Sequence, residues 1–487
     1  MAEQLLSYSK YLVLLSLIAF PLFWQLDALP VRIYDEARAA VNAQEMLRNS
    51  DWLEPHFEGT PDMWATKPPL LIWCQSALMK VIGQNEWAVR LPSAIAAFLT
   101  CITLLFFSIL HIRSSWFGAI VMLALITING YVENHSTRTG DYDALLTLFT
   151  TISGLSFFLY TERKGNKFLL LFFLFTALAV LTKGVAGLLF LPALGIYIVA
   201  KRQLLTTLKK PQLYLGLIGF VSVALGYYVL REFHSPGYLK TISENELGGR
   251  FLETQEQHGE SFWFYYKQLA THLLKPWVVW TFLGALIGMF SPSKLIKNLT
   301  LFSVLMIICF SVVISSAQTK LIWYPIPMYP FMAILAGITV LSIFKLLKDS
   351  EKINRILRWN FLPYVFLIAA FYQPYRWTVN RVLNSKEKAW DTERYSMANY
   401  LRQATAQKDT RLDDFYLVHN GYDAHNIFYI NVLKSQGISL AKKDKRELNE
   451  RDLVLVYQTD VKSYLKEHYN LKVMEEINGI TKYEILE

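Results

Sequence analysis

The sequence predicts a polytopic α-helical membrane protein that carries a small soluble α/β domain at its C-terminus. Hydrophobic residues make up 53% of the 487 residues. Apolar runs of membrane-crossing length recur along the chain as far as residue 377. After residue 380 the composition changes to helical and short β-rich segments separated by polar turns. We therefore expect a membrane domain over residues 1–379 and a small α/β domain over residues 380–487.

The positive charge of the chain is better explained by membrane topology than by nucleic-acid binding. The net charge is +9, but Lys and Arg lie mainly in short clusters between apolar runs and in the C-terminal region. Such clusters set the orientation of a membrane protein and contact anionic lipids. Cys74, Cys101 and Cys309 lie in apolar segments without a CxxC spacing, so the sequence predicts neither a disulfide nor a metal site from them.

The long polar stretch at 34–71 is predicted to be functional. It follows the first apolar run, 11–29, which has no small-residue cleavage site behind it and is expected to remain as the first span. The stretch is far longer than most connections between helices. Within it, 35–49 has helical character but too little hydrophobicity to cross a bilayer, so a surface helix is expected there.

About eleven transmembrane helices are predicted when the Lys- and Arg-rich loops are placed in the cytoplasm. This arrangement has a cytoplasmic N-terminus and treats 68–83 as a second surface helix; a membrane-spanning 68–83 remains the alternative. The C-terminal domain then lies outside. The predicted spans are 11–29, 91–110, 116–131, 142–160, 168–181, 185–200, 213–230, 272–290, 301–316, 323–344 and 359–377.

Several charged residues that a helix bundle does not need are predicted to collect on the outer side of the membrane. Carboxylates can accept the proton of an incoming nucleophile, and fixed cations offset the charge that grows on a phosphate leaving group. Together they suit the removal of a group from a lipid phosphate. The candidates are Asp35, Glu36, Arg38, Lys67, Asp143, His258, Lys320 and Tyr324.

Six short motifs then occur in a fixed order: DEAR, TKPPL, AVRLPSA, DALLTLF, LTKGVAGL and KLIWYPIPMYP. Together they resemble the polyprenyl-phosphate-dependent glycosyltransferases of the GT-C type, in the branch of the bacterial aminoarabinose (lipid A) transferase and the protein O-mannosyltransferases. The resemblance covers about residues 11–344. It implies a GT-C-like fold and an inverting transfer of a sugar from a polyprenyl-phosphate donor to a lipid, glycan or protein acceptor. The reaction would take place at the periplasmic face of a bacterial inner membrane.

The resemblance also assigns expected roles to individual residues. It implies that Asp35 is the catalytic carboxylate, with Glu36 beside it, and that Asp143 is the second-loop aspartate. Thr66 stands where some members carry a glutamate, so these residues do not support the divalent metal that the family allows, and no cofactor is expected. The donor phosphate is expected to contact Arg38, Lys67, Lys320 and Tyr324, with His258 in a loop over the donor.

Each of these assignments has a structural alternative. Asp35 and Glu36 can stabilise the N-terminus of the helix that follows. Lys67 can extend toward lipid headgroups, and Asp143 can cap its span. At the level of the whole chain, the alternatives are a lipid or glycan transporter of the flippase type and a non-catalytic scaffold. A transporter would carry ionisable groups near mid-bilayer and two related halves, and we find no internal repeat in the sequence.

Overall fold

The computed structural model describes residues 2–249, 259–349 and 361–486. These residues fall into two compact units. The first unit comprises Met1–Trp24, Pro61–Leu71 and Arg90–Leu383. The second unit comprises Gln25–Thr60, Ile72–Val89 and Asn384–Glu487.

The first unit is helical. Among the described residues, six helical segments are long and apolar enough to cross a membrane, and a bent pair of helices could form a seventh span. This confirms a polytopic helical fold, whereas the count of about eleven spans stays a prediction. The six segments are Glu86–Ile112, Asp143–Arg163, Asn166–Leu188, Pro211–His234, Lys294–Ser316 and Ile326–Asp349.

Shorter helical segments complete this unit. The bent pair consists of Phe264–Leu273 and Val278–Met289, whose axes differ by 108°. Sequence reasoning placed one span at 272–290, but the structure turns the chain within 274–277, where Pro276 cannot continue a regular helix. The other helices are Ala2–Phe23, Leu70–Ile82 (shared with the second unit), Ser115–Ile126, Leu191–Ala200, Leu204–Leu208, Tyr238–Ile242 and Leu362–Leu383.

The Asp143–Arg163 helix lies at the centre of the first unit and is almost entirely buried. It carries several hydroxyl side chains that would be costly to bury without hydrogen bonds. Two of these hydroxyls bond to carbonyls one turn earlier: Thr147 Oγ1 donates to the Asp143 carbonyl at 2.7 Å, and Thr150 Oγ1 to the Leu146 carbonyl at 2.7 Å. The helix can therefore be polar in sequence and still lie inside the bundle.

A sharp break follows the Asn166–Lys183 helix at Gly184. Gly184 has φ +54° and ψ −131°, a conformation that residues with a Cβ rarely adopt. A short 3₁₀ turn, Gly184–Leu188, leads into the Leu191–Ala200 helix. The break falls between the predicted spans 168–181 and 185–200, and Lys183 ends the helix before it.

The second unit contains a five-stranded mixed sheet. Its strands are β3 (Phe415–Leu417), β4 (Ala441–Lys442), β5 (Leu453–Val456), β6 (Leu471–Ile477) and β7 (Ile480–Ile485), after the two short strands β1 (His56–Phe57) and β2 (Thr60–Pro61) earlier in the chain. The order is β4-β3-β5-β7-β6. Strand β3 pairs in parallel with β4 and β5, whereas β7 pairs antiparallel with β5 and β6. The β-rich runs of the sequence at 415–419, 453–458 and 472–477 correspond to strands β3, β5 and β6.

Two features of the second unit follow directly from its sequence. Asn478 and Gly479, with φ of +50° and +81°, form the tight turn that an Asn-Gly pair favours between β6 and β7. The buried face of the sheet packs Val418, Val454 and Val456 against Val461 and Leu465 of the Thr459–His468 helix. The other helices of this unit are Thr392–Gln407 and Ala424–Ser435.

The polar helix predicted at 35–49 is confirmed as Asp35–Asn49. Within the second unit it packs against the Ala424–Ser435 helix, where Gln44 Nε2 donates to the Phe428 carbonyl at 3.0 Å and Asn431 Nδ2 donates to Gln44 Oε1 at 3.2 Å. Most of its residues are buried although the helix is polar. Its polar side chains therefore serve packing inside this unit.

Candidate active site

A cavity of about 140 Å³ lies in the first unit and brings together several of the predicted residues. Most of its wall is apolar, with side chains such as Leu146, Phe310 and Ile314. Charged and hydroxyl groups are also present, so the cavity offers both a hydrocarbon surface and fixed charges. The polar lining residues are Lys67, Asp143, Lys183, Glu246, Thr319 and Tyr324.

Asp143 and Lys183 form a buried ion pair in this cavity. Lys183 Nζ donates to both carboxylate oxygens of Asp143 at 2.7 Å. The side chains are 4% and 11% exposed, respectively. Both carboxylate oxygens bond to the ammonium. These two charge-assisted hydrogen bonds offset much of the free energy that it costs to remove both charges from water. Helix geometry explains the placement, since Asp143 begins one helix and Lys183 ends the next.

Lys67 enters the cavity from the segment that precedes the double proline. Its ammonium lies 4.9 Å from the centre of the Tyr142 ring, within the range of a cation–π contact. Neighbouring Thr66 donates from Oγ1 to Glu246 Oε1 at 2.7 Å, and the Thr66 carbonyl accepts from Tyr238 Oη at 3.1 Å. The backbone that carries Lys67 is thus held by two side chains of the same unit.

Tyr324 lines the cavity, and Lys320 contacts a residue of its wall. The Tyr324 ring lies 5.3 Å from Lys183 Nζ. Lys320 is only 5% exposed, and its ammonium donates to the carbonyls of Glu260, at 2.9 Å, and of Ala317, a residue of the cavity wall. Burial lowers the pKa of Lys320, while the charge of Glu260 acts in the opposite direction. An anion close to this ammonium would favour its charged form.

Asp35, Glu36 and Arg38 belong to the second unit. Asp35 is half-buried and begins the Asp35–Asn49 helix, and Glu36 is fully buried. Glu36 Oε2 accepts from the Arg32 amide at 2.7 Å, which fastens the incoming chain to the first helical turn. The Arg38 guanidinium lies 4.7 Å from the centre of the Phe57 ring. The structure therefore gives Glu36 and Arg38 local contacts as well.

Sequence reasoning missed Glu246 and Thr319 of the polar lining, and another prediction lies outside the described residues. Lys183 was considered as either a charge at the tip of a helix pair or a residue of the outer site. Glu246 lies in the short helical turn Ser243–Gly249, which has no motif that would have indicated it. His258 falls in the stretch 250–258, which the structure does not describe. Within the second unit, Asp51, Glu54 and His56 offer carboxylate and imidazole ligand atoms within 4.8 Å of one another.

The chemistry of the cavity matches an amphipathic anion. Two ammonium groups, those of Lys67 and Lys183, line it together with the Tyr324 side chain, and Lys320 lies behind its wall. The two carboxylates of the lining already have partners, since Asp143 pairs with Lys183 and Glu246 accepts from Thr66. Cations in a water-poor cavity stabilise a phosphate and any further negative charge that develops on it. The apolar wall suits a hydrocarbon chain attached to that phosphate.

Comparisons with known proteins find similarity to the same class of protein that the sequence motifs resemble, the polyprenyl-phosphate-dependent glycosyltransferases. Residues 66–228 match the family model described as dolichyl-phosphate-mannose-protein mannosyltransferase. The undecaprenyl phosphate-alpha-4-amino-4-deoxy-L-arabinose arabinosyl transferase of Aeromonas hydrophila is 26% identical over 359 residues, which cover 70% of this chain and 62% of that protein. An uncharacterized protein of Aquifex aeolicus is 25% identical over 74% of this chain and 70% of its own length. The match thus spans under two thirds of the curated transferase.

Solved structures are similar over nearly the whole chain. The crystal structure of ArnT from Cupriavidus metallidurans bound to undecaprenyl phosphate covers 98% of both chains with a TM-score of 0.72 and 16% sequence identity. The oligosaccharyltransferase AglB from Archaeoglobus fulgidus covers 87% of this chain and 63% of its own, with a TM-score of 0.57 and 12% identity. These likenesses establish the fold. The resemblance of this multi-pass membrane chain to the GT-C branch that holds the aminoarabinose and mannosyl transferases is therefore confirmed.

Proposed function

We propose that the chain is an inverting glycosyltransferase of the inner membrane that moves a sugar from a polyprenyl-phosphate donor to a lipid, glycan or protein acceptor at the periplasmic face. One observation carries the proposal: an apolar cavity with ammonium groups at Lys67 and Lys183, a ligand environment that suits a lipid phosphate. The names of the Aeromonas transferase and of the Cupriavidus complex support the same donor class.

The residues are proposed to act as follows. The donor phosphate binds to Lys67. Further residues that bind the phosphate are Arg38, Lys320 and Tyr324, and His258 lies in a loop over the donor. Asp35 takes the proton of the acceptor as the acceptor atom bonds to the anomeric carbon. The bond from that carbon to the phosphate oxygen breaks, and the phosphate leaves with the electron pair. Asp143 holds Lys183 in place, and Glu36 supports the helix start beside Asp35.

We further propose the topology that follows from the charge distribution. It has about eleven spans, a cytoplasmic N-terminus, a catalytic membrane domain at 1–379 and a periplasmic domain at 380–487. Alkylation of single cysteines placed at Arg113 and Lys408 tests the orientation. A membrane-impermeant reagent is expected to label intact inner-membrane spheroplasts at position 408 but not at 113.

The function is tested by mass spectrometry of lipid A and envelope glycans from cells with and without the gene. We expect one glycosylated species to disappear on deletion and to return with the wild-type gene but not with Asp35→Asn. The purified chain should also release polyprenyl phosphate from its sugar-linked form in the presence of an envelope extract. Identical profiles together with no release of polyprenyl phosphate would exclude the proposed activity.

A further inference from the structure

A second cavity, of about 540 Å³, lies within the second unit and has no role in the proposed phosphate chemistry. Its volume is in the range of small-molecule sites. It is lined by aromatic rings and by polar side chains from the first outer loop and the C-terminal region. We call it the aromatic cavity; its lining includes Tyr34, Trp390, Glu393, His419, Tyr457 and Asp460.

The aromatic rings of this cavity are arranged as flat platforms. The Tyr34 and Tyr422 rings stack with centroids 5.6 Å apart and planes 4° apart, and the Phe57 ring, outside the lining, stacks with Tyr422 at 6.4 Å. The Trp390 side chain is 75% exposed at the edge of the cavity. Large exposed rings are unfavourable in water unless something covers them. Flat, partly exposed rings suit a ligand with a flat C–H face.

Tyr34 is held in a strained backbone conformation. Its φ of +73° and ψ of −119° lie in a region that residues with a side chain rarely occupy. Strain of this kind persists when the surroundings fix the conformation, and it occurs preferentially at functional sites. In this backbone conformation the Tyr34 ring stacks on the Tyr422 ring. Tyr34 directly precedes Asp35 in the chain.

Two imidazoles, those of His419 and His425, belong to the cavity lining. His419 Nδ1 bonds to Tyr457 Oη at 2.9 Å, and His425 Nε2 bonds to the Arg394 carbonyl at 3.2 Å. The other nitrogens, His419 Nε2 and His425 Nδ1, are buried and have no hydrogen-bond partner among the described residues. His425 is fully buried. A buried nitrogen without a partner is costly unless a ligand or water completes its bonding.

The charges of the cavity argue against an anionic ligand. Glu393 and Asp460 contribute two carboxylates. Of the nearby cations, Arg394 already pairs with Asp391 Oδ1 at 3.3 Å, and Lys388 Nζ lies 5.3 Å from the centre of the Trp390 ring. Burial lowers the pKa of His419 and lowers the pKa of His425 to about 3, so both rings are neutral near pH 7. The carboxylates of Glu393 and Asp460 are suited to accept from hydroxyl groups.

We propose that the aromatic cavity binds an uncharged sugar ring, with its C–H face on the exposed aromatic rings and its hydroxyls on Glu393 and Asp460. Its assignment to the acceptor, rather than to an unrelated saccharide, rests on the proposed transferase function. The site would then fix a sugar of the acceptor on the same unit that carries Asp35. The binding of a saccharide itself does not depend on that function.

Saturation-transfer NMR on the full chain tests the binding, with methyl glycosides of mannose, glucose, galactose and N-acetylglucosamine as probes. The protein is kept in lauryldimethylamine oxide, because detergents with sugar headgroups would compete. We expect transfer to the ring protons of at least one glycoside, and at least a tenfold loss of affinity in Trp390→Ala and in Asp460→Asn. Trp52→Ala, a 43% exposed tryptophan of the same unit outside the cavity, is the matched control and should bind as wild type.

The results separate this site from the proposed function because the NMR experiment contains no donor lipid. Binding that is lost equally in Trp52→Ala and Trp390→Ala, or that inorganic phosphate abolishes, would overturn the sugar site. The absence of transfer to every glycoside would overturn it as well. Glycoside binding without any transferase activity would leave the site standing and reject its assignment to an acceptor.

Discussion

Lys183 donates to both carboxylate oxygens of Asp143 at 2.7 Å, across two helices whose contributing residues are 40 positions apart. The pair is buried beside Lys67 in a mainly apolar cavity. A charge left alone in such surroundings is much more costly than either the pair or a neutral replacement of both partners. The pair can therefore be tested as a unit.

We predict that Lys183→Met destabilises the protein by about 3–5 kcal/mol, because it leaves the Asp143 carboxylate without its main partner. Asp143→Asn combined with Lys183→Met should be closer to wild type in stability, since no charge is then left alone. Thermal unfolding of the four members of this cycle in detergent measures the coupling. Transferase activity should stay low in the double variant, because the ammonium near the donor phosphate is missing. A double variant with wild-type activity would reduce the pair to a structural role.

Gly184 sets the position of Lys183 through its backbone, and we predict that Gly184→Ala costs about 1–3 kcal/mol of stability. Its φ of +54° disfavours any Cβ, and the added methyl carbon would lie 2.9 Å from Tyr228 Oη. Activity should fall with stability, because the end of the helix that carries Lys183 must shift. Gly195→Ala is the control: a Cβ there meets nothing within 4 Å, so unfolding and activity should be unchanged or slightly improved. Equal behaviour of the two variants would contradict this account.

Asp35 and Glu36 are adjacent in the chain, but substitutions of the two residues are predicted to have different effects. Asp35→Asn should lower the transfer rate by at least about a hundredfold without changing Tm, since it removes a proton acceptor and keeps the shape of the side chain. Glu36→Ala should instead lower stability by about 1–3 kcal/mol, because the Arg32 amide loses its carboxylate partner at 2.7 Å. Tm and initial rates measured on the same preparations distinguish the two effects. Normal activity of a well-folded Asp35→Asn protein would favour the scaffold alternative.

Lys67→Ala is predicted to weaken the binding of undecaprenyl phosphate about ten- to hundredfold, the effect expected when one charge-assisted hydrogen bond of about 1.5–3 kcal/mol is lost. Lys67→Arg should retain part of the affinity, because the charge remains. Binding can be followed by the rise in Tm that the lipid produces. Lys80→Ala removes an exposed lysine of the Leu70–Ile82 helix and should leave the affinity unchanged. The same loss in both variants would indicate general attraction of the lipid to positive charge.

The sequence predicted local features of this fold well where a single segment carries the signal. The Asp35–Asn49 helix, the break at Gly184 and strands β3, β5 and β6 each follow from their own hydrophobic pattern or turn residues. The second compact unit is different, because it groups Gln25–Thr60 and Ile72–Val89 with Asn384–Glu487. Segments about three hundred positions apart leave no local pattern that shows their association.

The same reason limits what could be predicted of the cavities. Lys67, Asp143 and Tyr324 were selected through motifs and do line one cavity. The partner of Asp143 could not be identified, because the sequence offers many lysines and only the packing of two helices selects Lys183. Tyr34 illustrates a further limit: its strained φ of +73° is a consequence of contacts made in the folded chain, and nothing in the sequence YDEAR indicates it.

His425 provides a pH test of the second unit. Its imidazole is fully buried, and burial lowers its pKa from 6.5 to about 3 in the folded protein. The unfolded chain therefore binds a proton near pH 6.5 that the folded chain does not accept until about pH 3. The stability that depends on neutral His425 is complete above pH 6.5 and is lost progressively as the pH falls toward 3.

We predict that His425→Gln, which removes the titrating group and keeps a donor for the Arg394 carbonyl, makes unfolding less sensitive to acid between pH 6.5 and pH 4. The wild-type free energy of unfolding should fall faster than that of the variant by up to about 1.4 kcal/mol per pH unit. Denaturant unfolding of both proteins at half-unit pH steps, followed by the signal of the second unit, measures the difference. His468→Gln, at an exposed histidine on the Thr459–His468 helix, should keep the wild-type slope. Parallel curves for wild type and His425→Gln would mean that His425 also takes up its proton in the folded state. The His425 imidazole in the lining of the aromatic cavity would then be charged, and that cavity would favour anions over sugars.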